Sequence, residues 1–112
     1  MTLAYTEWTL VELDGEPVQI AADEIAPSLV LDLEEARVTG SGGVNRLTGH
    51  FALSGDELRF GTLATTRMAG PENAMQREAA FLAALGRVTS YALDGRRLTL
   101  LADDDVVVTL AC

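Results

Sequence analysis

The residues able to do chemistry fall in two polar segments and at one helical position. Gly40 to Gly49 reads G-S-G-G-V-N-R-L-T-G, with four glycines around the pair Asn45-Arg46. A second segment, Thr65-Thr66-Arg67-Met68-Ala69-Gly70, runs into the strongest helix signal in the chain. On that helix, at 100° per residue, Glu78 falls near the centre of an apolar face formed by Ala74, Phe81, Leu82 and Leu85, with Met75 at its edge. An unpaired buried carboxylate costs several kcal/mol, so Glu78 must find a partner. The expected partners are the side chains of Arg46 and Arg67. The expected unit is a partly buried polar cluster of Asn45, Arg46, Thr66, Arg67 and Glu78. Structurally, it would clasp the glycine loop and the pre-helix segment to the helix. Functionally, Glu78 would be an acid or a ligand-binding group in a pocket. The structural reading takes precedence, because most buried charge networks are structural.

Other reactive residues lack company. The glycines have neither the G-K-[ST] of a phosphate loop nor the spacing of a dinucleotide fingerprint, and the residues after them look extended rather than helical. Asn45, placed after glycines, suits a turn-stabilising role. His50 has no nucleophile and acid beside it and no set of co-ligands, and is expected on the exposed face of a strand next to an inward Phe51. Asp103-Asp104-Asp105 is consecutive rather than alternating and leads straight into Val106, so a solvated turn is expected instead of a calcium loop. Trp8, Tyr5 and Tyr91 suit core packing before a ligand groove. Cys112, the single cysteine, cannot form an internal disulfide and is expected as a stray surface residue. No catalytic residue, metal ligand or cofactor site is expected.

Composition narrows the partners. The chain has 112 residues, enough for one domain with a real core, spanning 1–112. Its net charge is −9, and its eight basic residues are all arginine. An acidic chain with scattered arginines argues against nucleic acid and against anionic membrane surfaces. No apolar run approaches the roughly 20 residues of a membrane span, so no membrane insertion is expected. The N-terminus, M-T-L-A-Y-T-E-W, lacks the parts of a signal peptide. A cytoplasmic protein is expected if Met1 is the native start, and a periplasmic or secreted one if a leader was removed.

The elements that must position these residues are mostly strands. Expected strands are Tyr5 to Leu13, Pro17 to Ile20, a third from Pro27 with Leu29, Leu31 and Leu33 inward, and Arg37 to Thr39. Leu47 to Leu53 and Glu57 to Phe60 follow, with Gly61 to Met68 extended or irregular. Three antiparallel strands close the chain at Arg87 to Leu93, Arg97 to Leu101 and Val106 to Ala111. Asp14-Gly15, Gly55-Asp56 and Asp94-Gly95 mark tight turns. One helix, about 71–85, opens at Gly70-Pro71 and ends at Gly86. The expected fold is α+β: a curved, barrel-like antiparallel sheet of about eight short strands packed on a single helix. A monomer or weak dimer is expected, with Val106 to Leu110 as a strand able to pair across a dimer edge.

The pattern resembles the META domain, or HslJ-like, family of small bacterial proteins. The resemblance rests on Trp8-Thr9-Leu10 with Asp14-Gly15, on Val38-Thr39-Gly40, and on Gly43-Val44-Asn45-Arg46-Leu47-Thr48-Gly49. It continues through Leu58 to Phe60, Thr65-Thr66-Arg67-Met68-Ala69, Glu78, Phe81 to Leu85, Val88, Tyr91 and Leu98 to Leu100. Asn-Arg-x-Thr-Gly and Thr-Arg-Met-Ala are its specific part. The family usually carries Cys where this chain has Val44 and Gly70. Their joint loss implies that the two positions face each other and that this chain does without a disulfide there. The resemblance implies a small α+β domain whose relatives are often periplasmic, secreted or lipid-anchored, some linked to heat shock, antibiotic tolerance, motility or virulence. No enzymatic activity is established for the family as a class. The resulting expectation is a non-enzymatic accessory or stress-related domain that binds an unknown protein or small-molecule partner near the glycine-rich loop. Alternatives are a carrier with its ligand inside the curved sheet, and an enzyme using Glu78 with Arg46 or Arg67.

Overall fold

Alternating burial along the strands gives the sheet one face toward a core and one toward solvent. In the computed structural model, which describes residues 2–112, the elements run β1 (Trp8–Leu13), β2 (Glu16–Pro17), β3 (Ser28–Asp32), β4 (Arg37–Ser41), β5 (Arg46–Ser54), β6 (Glu57–Phe60) and β7 (Ala64–Thr65). Then come α1 (Glu72–Leu85), β8 (Ser90–Asp94), β9 (Arg97–Ala102) and β10 (Asp105–Ala111). The pairing order is β10-β9-β8-β6-β5-β4-β3-β1, and β10 also pairs β1. Eight antiparallel strands therefore close on themselves, completing the curved, barrel-like sheet expected from the sequence. The two-residue strands β2 and β7 attach outside this ring, to β1 and β5.

The core is one cluster. Leu29 and Leu31 of β3, Val38 of β4, Leu47 and Phe51 of β5 and Leu98 and Leu100 of β9 point inward and are buried. Trp8 and Phe81 are fully buried among them, and the Trp8 indole donates to the Leu3 carbonyl at 2.9 Å. The Asp14-Gly15 turn has φ of 52° and 82°, as a tight hairpin with two left-handed residues requires.

The helix spans Glu72–Leu85 with Pro71 at its N-cap. It buries Ala74, Glu78, Phe81, Ala84 and Leu85, and packs chiefly against β1 and β10. Ala84 is buried at the flank of this face, whereas Leu82, expected on it, is only half-buried, and Met75 is exposed. Gly86 ends the helix at φ −67°, right-handed, so its role is not the left-handed cap.

Several expectations change. The first strand begins at Trp8, because Tyr5 sits at φ 60° and turns the chain. Of Pro17 to Ile20, only Pro17 lies in a strand, β2, with the Val18 N–H donating to the Val11 carbonyl just beyond it. Leu33 is 48% exposed, because β3 ends at Asp32 and the turn to Ala36 at φ 51° begins there. Val106 to Leu110 is not an edge: β10 is paired on both sides, so barrel closure removes that dimer surface. Cys112 is half-buried against the core rather than stray on the surface.

Candidate functional site

The two polar segments meet over the helix through Asn45 and Glu78, each 5% exposed. One carboxylate oxygen of Glu78, Oε2, accepts the main-chain N–H groups of Val44 at 2.9 Å and Asn45 at 2.6 Å. Its Oε1 accepts the Asn45 side-chain amide at 2.7 Å. The Asn45 amide also donates to the Met68 carbonyl at 3.2 Å. In return, Asn45 Oδ1 accepts the Met68 N–H at 2.6 Å and the Thr66 hydroxyl at 3.0 Å. The Thr66 oxygen then accepts the Arg46 main-chain N–H at 3.1 Å. One asparagine thus bridges glycine loop, pre-helix segment and helix.

Burial pushes the Glu78 carboxyl up, but the hydrogen bonds from Asn45 and Val44 outweigh it and hold it below the ordinary glutamate range. Successive backbone amides form an anion-binding concavity that substitutes for a cation. No buried side-chain polar atom among the described residues lacks a partner.

The expected ion pairs are therefore absent. Arg46 and Arg67 are exposed, and neither reaches a carboxylate among the described residues. Arg46 enters the network only through its backbone, and the Arg67 side chain takes no part. Bringing an arginine to Glu78 would desolvate a second charge, whereas backbone amides already buried by the fold need the acceptor. Of the five residues named from the sequence, the side chains of Asn45, Thr66 and Glu78 are brought together. The sequence reading missed Val44 and Met68, which act through main-chain groups that every residue but proline possesses. The signal available was Gly42-Gly43, where the chain is stripped of side chains.

Gly42 is required by contact: a Cβ there would lie 2.6 Å from Glu78 Oε2 and closer still to its Cγ. Val44 and Gly70 face each other, as their joint departure from the resembling pattern implied. A Cβ on Gly70 would lie 3.6 Å from the Val44 Cβ.

Two grooves flank the clasp. One, of about 480 Å³, lies on the outward face of the barrel and is lined by Thr39, Gly40, Arg46, Thr48, Ala64 and Thr66 among others. The other, of about 190 Å³, runs between Asp23 to Ile25 and the helix start at Gly70, Pro71 and Ala74. His50 is exposed on β5, opposite Arg37, with Phe51 buried beside it. Asp103, Asp104 and Asp105 are exposed around the turn into β10. Tyr5 is exposed, Tyr91 half-buried and Trp8 buried, so the three line no common groove.

No curated protein matches the chain. Among solved structures, a protein from Burkholderia xenovorans determined by NMR is 28% identical, with a TM-score of 0.76 over 97% of this chain and 82% of its own. A second NMR structure is 25% identical, with a TM-score of 0.72 over 97% of this chain and 90% of its own. A crystal structure of a DUF4847-family protein from Bacteroides vulgatus, 15% identical, shares the fold at a TM-score of 0.69 over 97% and 93% of the two chains. The family model of the META domain matches residues 1–111, essentially the whole molecule, and the chain belongs to the META domain family.

Proposed function

We propose that the chain is a non-enzymatic accessory domain, suited to a stress-related role, that binds a partner on the groove beside the glycine-rich loop. The observation that carries this reading is the groove of about 480 Å³ bordered by Arg46 and Thr66, two residues whose backbones the clasp holds in place. Sites supported by a satisfied second layer of hydrogen bonds are held rigidly enough to recognise a ligand.

Two other readings fare worse. An enzyme built on Glu78 would need that carboxylate free to transfer a proton, but both of its oxygens are engaged. A carrier would need room inside the barrel, where Trp8, Phe81, Leu31, Leu58 and Leu100 are packed with no more than 2% exposure.

The test is photo-crosslinking in native lysate with the crosslinker at Thr48, compared with the same group at Glu16 on the far hairpin. A partner captured from Thr48, absent from Glu16 and lost in Arg46→Ala is the expected result. Identical captures from both positions, or none, would overturn the reading.

A further inference from the structure

The outward face of β4 and β5 carries a ladder of cross-strand pairs: Ser41 with Arg46, Thr39 with Thr48, and Arg37 with His50. Ala64 of β7 flanks Thr48 on the other side. Arg37, Thr39, Arg46, Thr48 and His50 are all exposed. Carboxylates outnumber arginines 17 to 8, yet Arg37 and Arg46 join no ion pair among the described residues. The nearest carboxylate along the ladder is Asp32, opposite Arg37. Its Oδ1 is committed to the Tyr5 hydroxyl and to the N–H groups of Glu34 and Glu35. Arg46 and Arg37 thus mark a strip in which neither guanidinium has a carboxylate within salt-bridge reach among the described residues, Asp32 being the nearest negative charge along the ladder. Its ends, Arg46 and the Arg37–His50 pair, are separated by four residues of strand, about 13 Å. Threonine methyls and Ala64 floor the space between them, and the exposed hydroxyls of Thr39, Thr48 and Thr65 offer hydrogen bonds.

We infer that this face docks an extended acidic peptide segment of a partner protein, with acidic side chains four residues apart and a small apolar one midway. The inference rests on the proposed binding reading and names its ligand chemistry. In an extended peptide, side chains at i, i+2 and i+4 share one face and span the same 13 Å or so. The outer two would meet Arg46 and Arg37 in charge-assisted hydrogen bonds, and the middle one would lie on the Thr39–Thr48 floor. Nucleic acid would bring a polyanion against a molecule of net charge −9 and is disfavoured.

The test is NMR titration of the ¹⁵N-labelled 112-residue chain with an acetylated and amidated Ser-Glu-Thr-Val-Thr-Glu-Ser peptide, and with its Gln-for-Glu counterpart. The amides of Thr39, Arg46, Thr48, His50 and Thr65 are expected to shift with the glutamate peptide. The glutamine peptide should bind about tenfold more weakly, and the Arg37→Gln/Arg46→Gln variant should lose a similar factor for the glutamate peptide. Both substitutions change exposed side chains, and an unchanged amide spectrum elsewhere verifies the fold. Glutamine and glutamate peptides binding the groove equally would overturn the acidic assignment while leaving the binding reading intact. Suberate, a free dicarboxylate, binding there as tightly as the peptide would overturn the peptide assignment. No groove shift with any ligand would overturn the inference, and the Thr48 crosslinking then decides the binding reading separately.

Discussion

Asn45 and Glu78 hold each other twice. The carboxylate accepts the Asn45 main-chain N–H at 2.6 Å through one oxygen and the Asn45 side-chain amide at 2.7 Å through the other. The Asn45 side chain also reaches Met68 and Thr66, so a helix, a loop and a connecting segment share one buried junction. Low local dielectric makes such a network strong when complete and costly when opened.

Glu78→Ala removes the acceptor from three donors and should destabilise the protein by about 3–5 kcal/mol. Glu78→Gln keeps one acceptor oxygen and should cost about 1–3 kcal/mol. Arg46→Ala and Arg67→Ala should stay within about 0.5 kcal/mol of the parent, since both side chains are exposed. Urea denaturation of the four variants checks this ordering. A loss at Arg67 as large as that at Glu78 would restore the ion-pair account.

The clasp also has a pH signature. The Glu78 carboxyl lies below its ordinary value near 4.5 in the folded protein. Its contribution is therefore fully present above that value and is lost as pH falls through the lower, folded value. The stability gap between the parent and Glu78→Gln should be constant near neutrality and narrow on acidification below about pH 4.5. Urea midpoints measured across that range provide the check, and a gap that stays constant to the acid end would contradict it.

Gly42→Ala isolates the steric requirement. At an unstrained position this change stabilises a protein by about 0.4–1 kcal/mol through the unfolded chain. Here the new Cβ would fall 2.6 Å from Glu78 Oε2, so the sign should reverse to a loss of about 2 kcal/mol or more. The amide signals of Val44 and Asn45 should move with it, because the carboxylate that they bind is displaced.

Val44→Cys/Gly70→Cys, made in a Cys112→Ser background, should oxidise readily. The Cβ separation of 3.6 Å falls within the disulfide range of roughly 3.5–4.5 Å. Closing the intervening loop should stabilise the protein by about 3 kcal/mol. Thiol titration and thermal melts with and without reductant measure both effects. Persistent free thiols under oxidant would show that the two positions do not face each other in solution.

Read alone, the sequence determined a curved antiparallel sheet on one helix and singled out Asn45, Thr66 and Glu78 of the clasp. Strand alternation placed Leu29, Leu31, Val38, Leu47 and Phe51 inward, and the Pro71 to Gly86 punctuation bounded the helix, because local periodicity reports burial directly. It also exposed Glu78 as an acid on an apolar face. The tertiary structure alone decided its partners. Donors on Val44 and Asn45, 34 and 33 residues away, became available only when Gly42 let the loop close on the helix. Main-chain N–H groups have no sequence letter, while arginines do, so pattern reasoning pointed to Arg46 and Arg67. Solvation decided otherwise: their guanidinium groups stay in water, and the backbone supplies the positive end of a dipole already inside the fold. Strand closure likewise removed the β10 edge, because whether a last strand meets the first depends on the curvature summed around the whole sheet.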